Sequence, residues 1–253
     1  MIKRNAMAAL AAAFLLGLAS QPTRAAPFHE ISNAPGGGGP QALFLSDDLW
    51  RTVRVNYGGT IEFLAAGAFG VRLEETLADG TKLGLPVQDL PAFCFEIAQQ
   101  ISLPALYESV PLAAAMPAPR AAAVSRLWGH RQSVVIDAAN PEYDGVTGAL
   151  PRDRIAAFQV AIWDLVIDGG DGYGTGTFRL VSPDAPLLGL ALRYLAQAGD
   201  ASLPPGDVVA LVSATSQDLL DDPPDTVVPA PASALLLAGA LAALRRARRP
   251  QAR

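Results

Sequence analysis

Alternation of apolar and polar side chains dominates the first third of the chain after its N-terminal segment. Gln41–Ser46, then Val53, Val55 and Tyr57 in RTVRVNY, repeat every second residue, the period of a half-buried strand. Ile61–Leu64 and Gly70–Leu77 continue in this style, with Gly58-Gly59 and Asp79-Gly80 as turns. PAFCFEI (Pro91–Ile97) predicts the last strand of the block. It puts Phe93, Phe95 and Ile97 on one face and Cys94 and Glu96 on the other. The period then changes. Pro119 opens a helix through PRAAAVSRLW, with Val124, Leu127 and Trp128 on one side and Gly129 as its stop. A loop rich in Asp, Asn, Pro and Gly runs through Asn140-Pro141 and Asp144-Gly145. Pro151 starts the most regular helix, PRDRIAAFQVAIWDLVID, which Gly169-Gly170 ends. GTFRLVS reads as a strand, Ala185–Ala198 as an amphipathic helix closed by Gly199, and Asp207–Ala214 as a final strand. Strands, helices and strands again predict an α+β domain, sandwich- or barrel-like in its strands and with a helical subdomain.

Both ends depart from this pattern. Lys3 and Arg4 precede an apolar run from Ala6 to Ala19, and small residues follow, with Thr23 and Ala25 at the −3 and −1 positions of a cleavage site. These are the parts of a secretory signal peptide, residues 1–25, with an apolar run shorter than the ~20 residues a membrane span needs. At the other end, Asp221–Asp225 is acidic and Pro-rich, with residues 223–227 as linker. Val228-Pro229-Ala230-Pro231 follows, then ALLLAGALAAL (Ala234–Leu244), then Arg245, Arg246, Arg248 and Arg249. An apolar helix stopped by arginines halts in a membrane with the arginines on the cytoplasmic side. A permanent C-terminal anchor is one reading of residues 228–253. The order Val-Pro-x-Pro, short Leu/Ala helix, Arg cluster also resembles the PEP-CTERM sorting signal, with Ala230 where that family has Glu. This resemblance implies cutting by an exosortase-type enzyme at the inner membrane of an exopolysaccharide-making Gram-negative bacterium.

Residues 26–222 remain as one extracytoplasmic domain, long enough for a sizeable core. The chain has a net charge of −5 and its strong basic cluster lies in the tail, so nucleic acid is not an expected partner. A secreted domain normally carries paired cysteines; this chain has one, Cys94. A lone thiol is buried and inert, joined to another molecule, or chemically committed.

Gln159 is the second unusual position. Its helical neighbours at three and four residues are Ile155, Ala156, Ile162 and Trp163, so the helix is expected to bury an amide. A buried amide needs partners, commonly backbone groups. Phe93-Cys94-Phe95-Glu96, with Phe158-Gln159-Val160-Ala161-Ile162-Trp163 downstream, resembles the Cys–Gln thioester domain of bacterial surface adhesins. In that family a strand-borne Cys and the Gln of a Thr-Gln-x-Ala-hydrophobic-Trp motif form the bond, and Phe158 stands here for the Thr. The resemblance covers about Gln41–Leu220. It implies that Cys94 and Gln159 are bond partners and that Ala161 and Trp163 are motif residues, with Phe93, Phe95, Phe158 and Trp163 available as apolar cover. It also implies covalent capture of an amine or hydroxyl on a surface or matrix target. Such capture happens once, without turnover, so no enzyme and no cofactor are expected. Closing the intervening loop would add roughly 4 kcal/mol by the chain-entropy estimate for disulfides.

Other chemistries leave weaker traces. A cysteine hydrolase or transpeptidase needs a His beside the thiol, and only His29 and His130 exist. His130 with Asn140 has the required order without a nucleophile signature around Cys94. His130 reads either as a helix C-terminal residue favoured by the dipole or as a base assisting acyl transfer to hydroxyls. The Gly-rich loop Asp168–Gly176 holds two acids and too few oxygen ligands for a calcium loop, so a connector without metal is expected. Trp50, Trp128 and Trp163 read as core rather than as a sugar platform. A non-covalent matrix or adhesin protein with an inert Cys94 stays open beside the thioester.

Overall fold

The computed structural model describes residues 28–33, 50–84, 87–131 and 149–223 of the 253-residue chain. The signal segment, the strand expected at Gln41–Ser46, the loop with Asn140, and Val228, Pro229, Pro231, Arg245 and Arg246 of the tail lie outside them.

Six antiparallel strands close into a barrel in the order β1-β4-β5-β9-β8-β6. They are β1 (Phe28–Asn33), β4 (Phe69–Thr76), β5 (Gln88–Cys94), β6 (Ala105–Pro111), β8 (Val209–Val212) and β9 (Leu219–Asp221). A three-stranded sheet orders β3 (Thr60–Gly67), β2 (Trp50–Tyr57) and β7 (Phe178–Leu180) as β3-β2-β7. Among the described residues there are four helices: α1 (Leu112–Ala115), α2 (Ala118–Trp128), α3 (Pro151–Ile167) and α4 (Ala185–Gly199). The fold is mixed α+β, and its strands form a barrel plus a separate sheet. The described residues up to Asp222 belong to one compact unit. None of the described helices is long and apolar enough to cross a membrane.

The β2–β3 hairpin follows its pattern. Val53 and Val55 are buried while Arg54 is exposed, and Gly58 and Gly59 have positive φ, which the two-residue turn requires. Three strands and a helix escape the sequence pattern: β1, β6, β9 and α1. In β1 the buried positions are His29 and Ile31, so the inward face carries a histidine where an apolar residue would have revealed the strand. The last strand of the first block ends at Cys94, not Ile97. Phe93, Cys94 and Phe95 are all buried, because helix α3 meets the end of β5, with Gln159 bonded to the Cys94 main chain. Gly129 ends α2, as expected, but with φ −55°, so no left-handed cap is formed. Its lack of a side chain eases a close approach, since a Cβ on Gly129 would lie 3.2 Å from the Pro204 carbonyl oxygen, and the facing Gly206 is tighter still, with a Cβ 2.6 Å from the Gly129 nitrogen. Gly206 N–H donates to the Ser125 carbonyl at 2.7 Å across that contact.

Helix α3 is the axis of the unit. Every residue from Asp153 to Leu165 is buried, as in a helix enclosed on all sides. It packs on α4, α2, β2, β3 and β7, and Ala156, Ala157 and Ala161 allow close approach of these neighbours. Its first turn is held by Asp153, which accepts from Leu150 N–H at 2.9 Å and from Arg51 at 2.6 Å. Arg51 also reaches Asp184, the N-cap of α4, at 2.6 Å, so one guanidinium of β2 aligns the starts of two helices.

His29 gives the barrel a pH-sensitive element. It is fully buried, neither ring nitrogen has a hydrogen-bond partner among the described residues, and burial pushes its pKa from 6.5 down to about 4. The unfolded chain therefore binds a proton near pH 6.5 that the folded chain accepts only near pH 4, so this group's stability contribution is lost as pH falls through that window. Asp164 and Asp221, whose buried carboxyls are held up to about 6 and about 7, have the opposite slope, so the effect is read as a difference between two proteins. His29→Leu is expected to lose about 2–3 kcal/mol less than wild type between pH 7 and pH 4, measured by urea unfolding at each pH.

Candidate functional site

The end of β5 meets the middle of α3 at Cys94 and Gln159. Gln159 is fully buried, between Ile155, Ala156, Ile162 and Trp163, as the helical spacing predicts. Its amide finds both partners on one residue. Gln159 Oε1 accepts from the Cys94 backbone N–H at 3.2 Å, and Gln159 Nε2 donates to the Cys94 carbonyl at 2.5 Å. The backbone partner anticipated for any buried amide is thus the main chain of the cysteine. The reason is local: Phe93 and Phe95 turn their main-chain groups toward the β9 side, so those of Cys94 face the β4 side, where pairing stops at Phe69↔Ala92 and leaves both free to bond a side chain.

The thiol is enclosed. Cys94 is 1% exposed, and burial pushes its pKa from 9.0 up to about 12, so the sulfur is a neutral thiol at physiological pH. The Trp163 side chain acts against this shift. Its indole Nε1 is buried with no hydrogen bond of ordinary geometry, which leaves one N–H available to sulfur.

A cavity of about 520 Å³ reaches Cys94 and Trp163 from outside. Phe63, Leu64, Phe69, Ile97 and Ile101 form its apolar wall, while Glu62, Gln99, Gln100 and Gln217 contribute polar groups. Sequence reasoning missed the stretch from Ile97 to Ile101 and the middle of β3, Glu62–Ala65, as wall, because neither carries a motif. Their role follows from the chain turning back after Cys94, where Gln217 donates to the Glu96 carbonyl and Phe95 N–H donates to the Asp218 carbonyl at 3.2 Å. Glu96 is half-buried, and burial first, then Asp218, raises its carboxyl pKa.

The remaining expected residues separate into two groups. Phe93 and Phe158 stack at 5.0 Å between centroids and meet Trp128 at 5.9 and 6.2 Å, with Tyr194 5.7 Å from Phe158. These rings, and buried Phe95 and Ala161, supply apolar surroundings without lining the cavity. His130 lies just beyond α2 and is not among the cavity residues, so no described histidine stands with Cys94 there. Trp128 and Trp163 are core residues, at 3% and 2% exposed.

A second cluster sits at the far end of α3. Asp164, Asp168 and Asp171 each offer a carboxylate oxygen, and these oxygens lie within 4.8 Å of one another. The loop from Asp168 to Gly176 was expected to be a metal-free connector holding two acids. Asp164, one helical turn before Asp168, supplies a third that inspection of the loop alone omits.

Comparison with family models, curated proteins and solved structures returned no match for this chain.

The amide–backbone pair is testable on its own. In a Cys94→Ala background, where no covalent link can form, Gln159→Leu strands a buried N–H and a buried C=O. The expected loss is about 2–4 kcal/mol in urea unfolding, against less than 1 kcal/mol if water replaces the amide.

Proposed function

We propose that this chain is an exported surface or matrix protein whose domain joins Cys94 to Gln159 in an internal thioester and uses it to capture a nucleophile covalently. The observation carrying this reading is the seating of the Gln159 carboxamide on the Cys94 main chain, in a buried position that an open cavity reaches. The N- and C-terminal signals read from the sequence supply the export route, and an exosortase-type enzyme at the inner membrane is the processing partner.

The chemistry balances without a co-reactant. The Cys94 sulfur attacks Gln159 Cδ, the C–N bond to Nε2 breaks, and the thiol proton leaves on nitrogen as ammonia. Because burial keeps the sulfur protonated, that proton moves to the departing nitrogen as the S–C bond forms. The apolar surroundings that disfavour a thiolate also keep water from the product. A target amine or hydroxyl entering the cavity then attacks Gln159 Cδ. The S–C bond breaks, the target's proton ends on the Cys94 sulfur, and an amide or ester remains. A thiol of high pKa is a slow leaving group, so the bond persists until a nucleophile is held beside it. The Trp163 N–H is suited to stabilising the departing sulfur. This capture happens once per molecule, and hydrolase or transpeptidase turnover receives no support from a cavity whose described walls lack histidine.

One observation favours a second reading. Both polar atoms of the Gln159 amide are already satisfied, so the pair also suits a purely structural role in a non-covalent matrix protein. Intact mass separates the two. Freshly purified wild type is expected to be one ammonia lighter than its sequence, Cys94→Ala to have its full mass, and methylamine to add to wild type alone. Full mass with one titratable thiol in denatured wild type rejects the thioester. For export, the mature protein is expected to lack Arg245–Arg253, and a mature chain retaining them identifies the C-terminal segment as an anchor.

A further inference from the structure

The three carboxylates at the C-terminal end of α3 form a site of their own. Asp164 is fully buried, Asp168 is partly buried and Asp171 is exposed, so the group runs from the core to the surface. Burying a carboxylate without compensation is costly, and such groups are normally paired or bound to metal. Asp164 lacks this compensation. Among the described residues, its Oδ1 is buried with no hydrogen-bond partner, and its Oδ2 has only a long contact, 3.4 Å, from Gly172 N–H. Its charged neighbours are Asp168 and Asp171, which repel it. The orphaned oxygen is thus an observation separate from the mere proximity of three acids.

The chain closes tightly over the same oxygens. At Gly176, where φ is +83°, a Cβ would stand 2.5 Å from Asp168 Oδ2 and 3.0 Å from Asp171 Oδ2. Asp168 Oδ2 also accepts from Phe178 N–H at 2.7 Å, which ties the group to the start of β7. Carboxylate oxygens up to 4.8 Å apart fit around one ion with metal–oxygen bonds of roughly 2.3–2.6 Å, the calcium range.

We propose that Asp164, Asp168 and Asp171 bind a single calcium ion, with further oxygens supplied by the surrounding loop and water. Magnesium is a poorer fit, because it keeps most of its water and is seldom held by several protein carboxylates. The site is independent of the thioester and stands whether or not that bond forms. Its position suggests what it does: the ion joins the end of α3 to β7, and Trp163, next to Asp164, packs on Phe178 with ring centroids 6.1 Å apart. Calcium therefore fixes the helical turn that presents Trp163 to the cavity.

The test uses the full chain, stripped with EDTA and titrated with calcium chloride. At calcium about 100-fold above Kd, the thermal midpoint is expected to rise by roughly 5–10 °C. Terbium(III) is expected to bind with emission sensitised by Trp163 or Tyr173 and to be displaced by calcium. Asp171→Asn, at an exposed position that folding tolerates, is expected to weaken both responses on the order of tenfold; Asp164→Asn is expected to abolish them. Absence of a calcium-dependent shift at millimolar concentration overturns the proposal, as does an equal shift in Asp171→Asn. A response to magnesium but not calcium overturns the assignment of the ion.

Discussion

A side-chain amide buried in the middle of a helix has to be satisfied, and in this protein it is satisfied by the main chain of one residue on another element. That reciprocal bond between Gln159 and Cys94 fixes the register of α3 against the end of β5. Because α3 is enclosed on all sides, its register in turn sets the positions of α2, α4 and the three-stranded sheet against the end of β5. Shifting the helix by one residue would leave a carboxamide and a peptide group without partners in the dry interior, a penalty no nearby apolar contact could offset. The aromatic packing of Phe93, Phe158, Trp128 and Tyr194 strengthens this arrangement, but contact between apolar rings alone tolerates sliding.

The same burial has two chemical effects on Cys94. It holds the thiol neutral, with a pKa of about 12, which makes an unmodified cysteine inert. It also leaves the side chain only 1% exposed, while a cavity along Glu62–Ala65 and Ile97–Ile101 opens beside it. The two readings of the pair, covalent and structural, rest on this one environment and differ by a single bond.

Much of this was legible from residue order. The α3 helix announces itself through Pro151, the apolar residues around Gln159 and the Gly169-Gly170 stop, so burial of the amide could be anticipated. Its partner could be named only through resemblance, since nothing in residue spacing links position 94 to position 159. The strands that escaped notice did so for physical reasons. In β1 a histidine occupies an inward position, β9 has only three residues, and β6 places Glu108 beside buried Tyr107 and ends in proline. The cavity was invisible because its walls come from segments whose side chains are ordinary. Asp164 escaped for a different reason: it belongs to the helix by pattern, whereas its neighbours in space belong to the loop.

The barrel's order places β9, the last described strand, between β5 and β8. Its partner in register at the critical point is Cys94 itself, opposite Leu219. As the domain folds, then, the barrel can close beside Cys94 only once residues 219–221 have joined it. Any acyl chemistry that depends on exclusion of solvent is thereby postponed to the final moment of assembly. A chain cut short before Leu219 lacks the strand that lies beside Cys94 in the finished barrel.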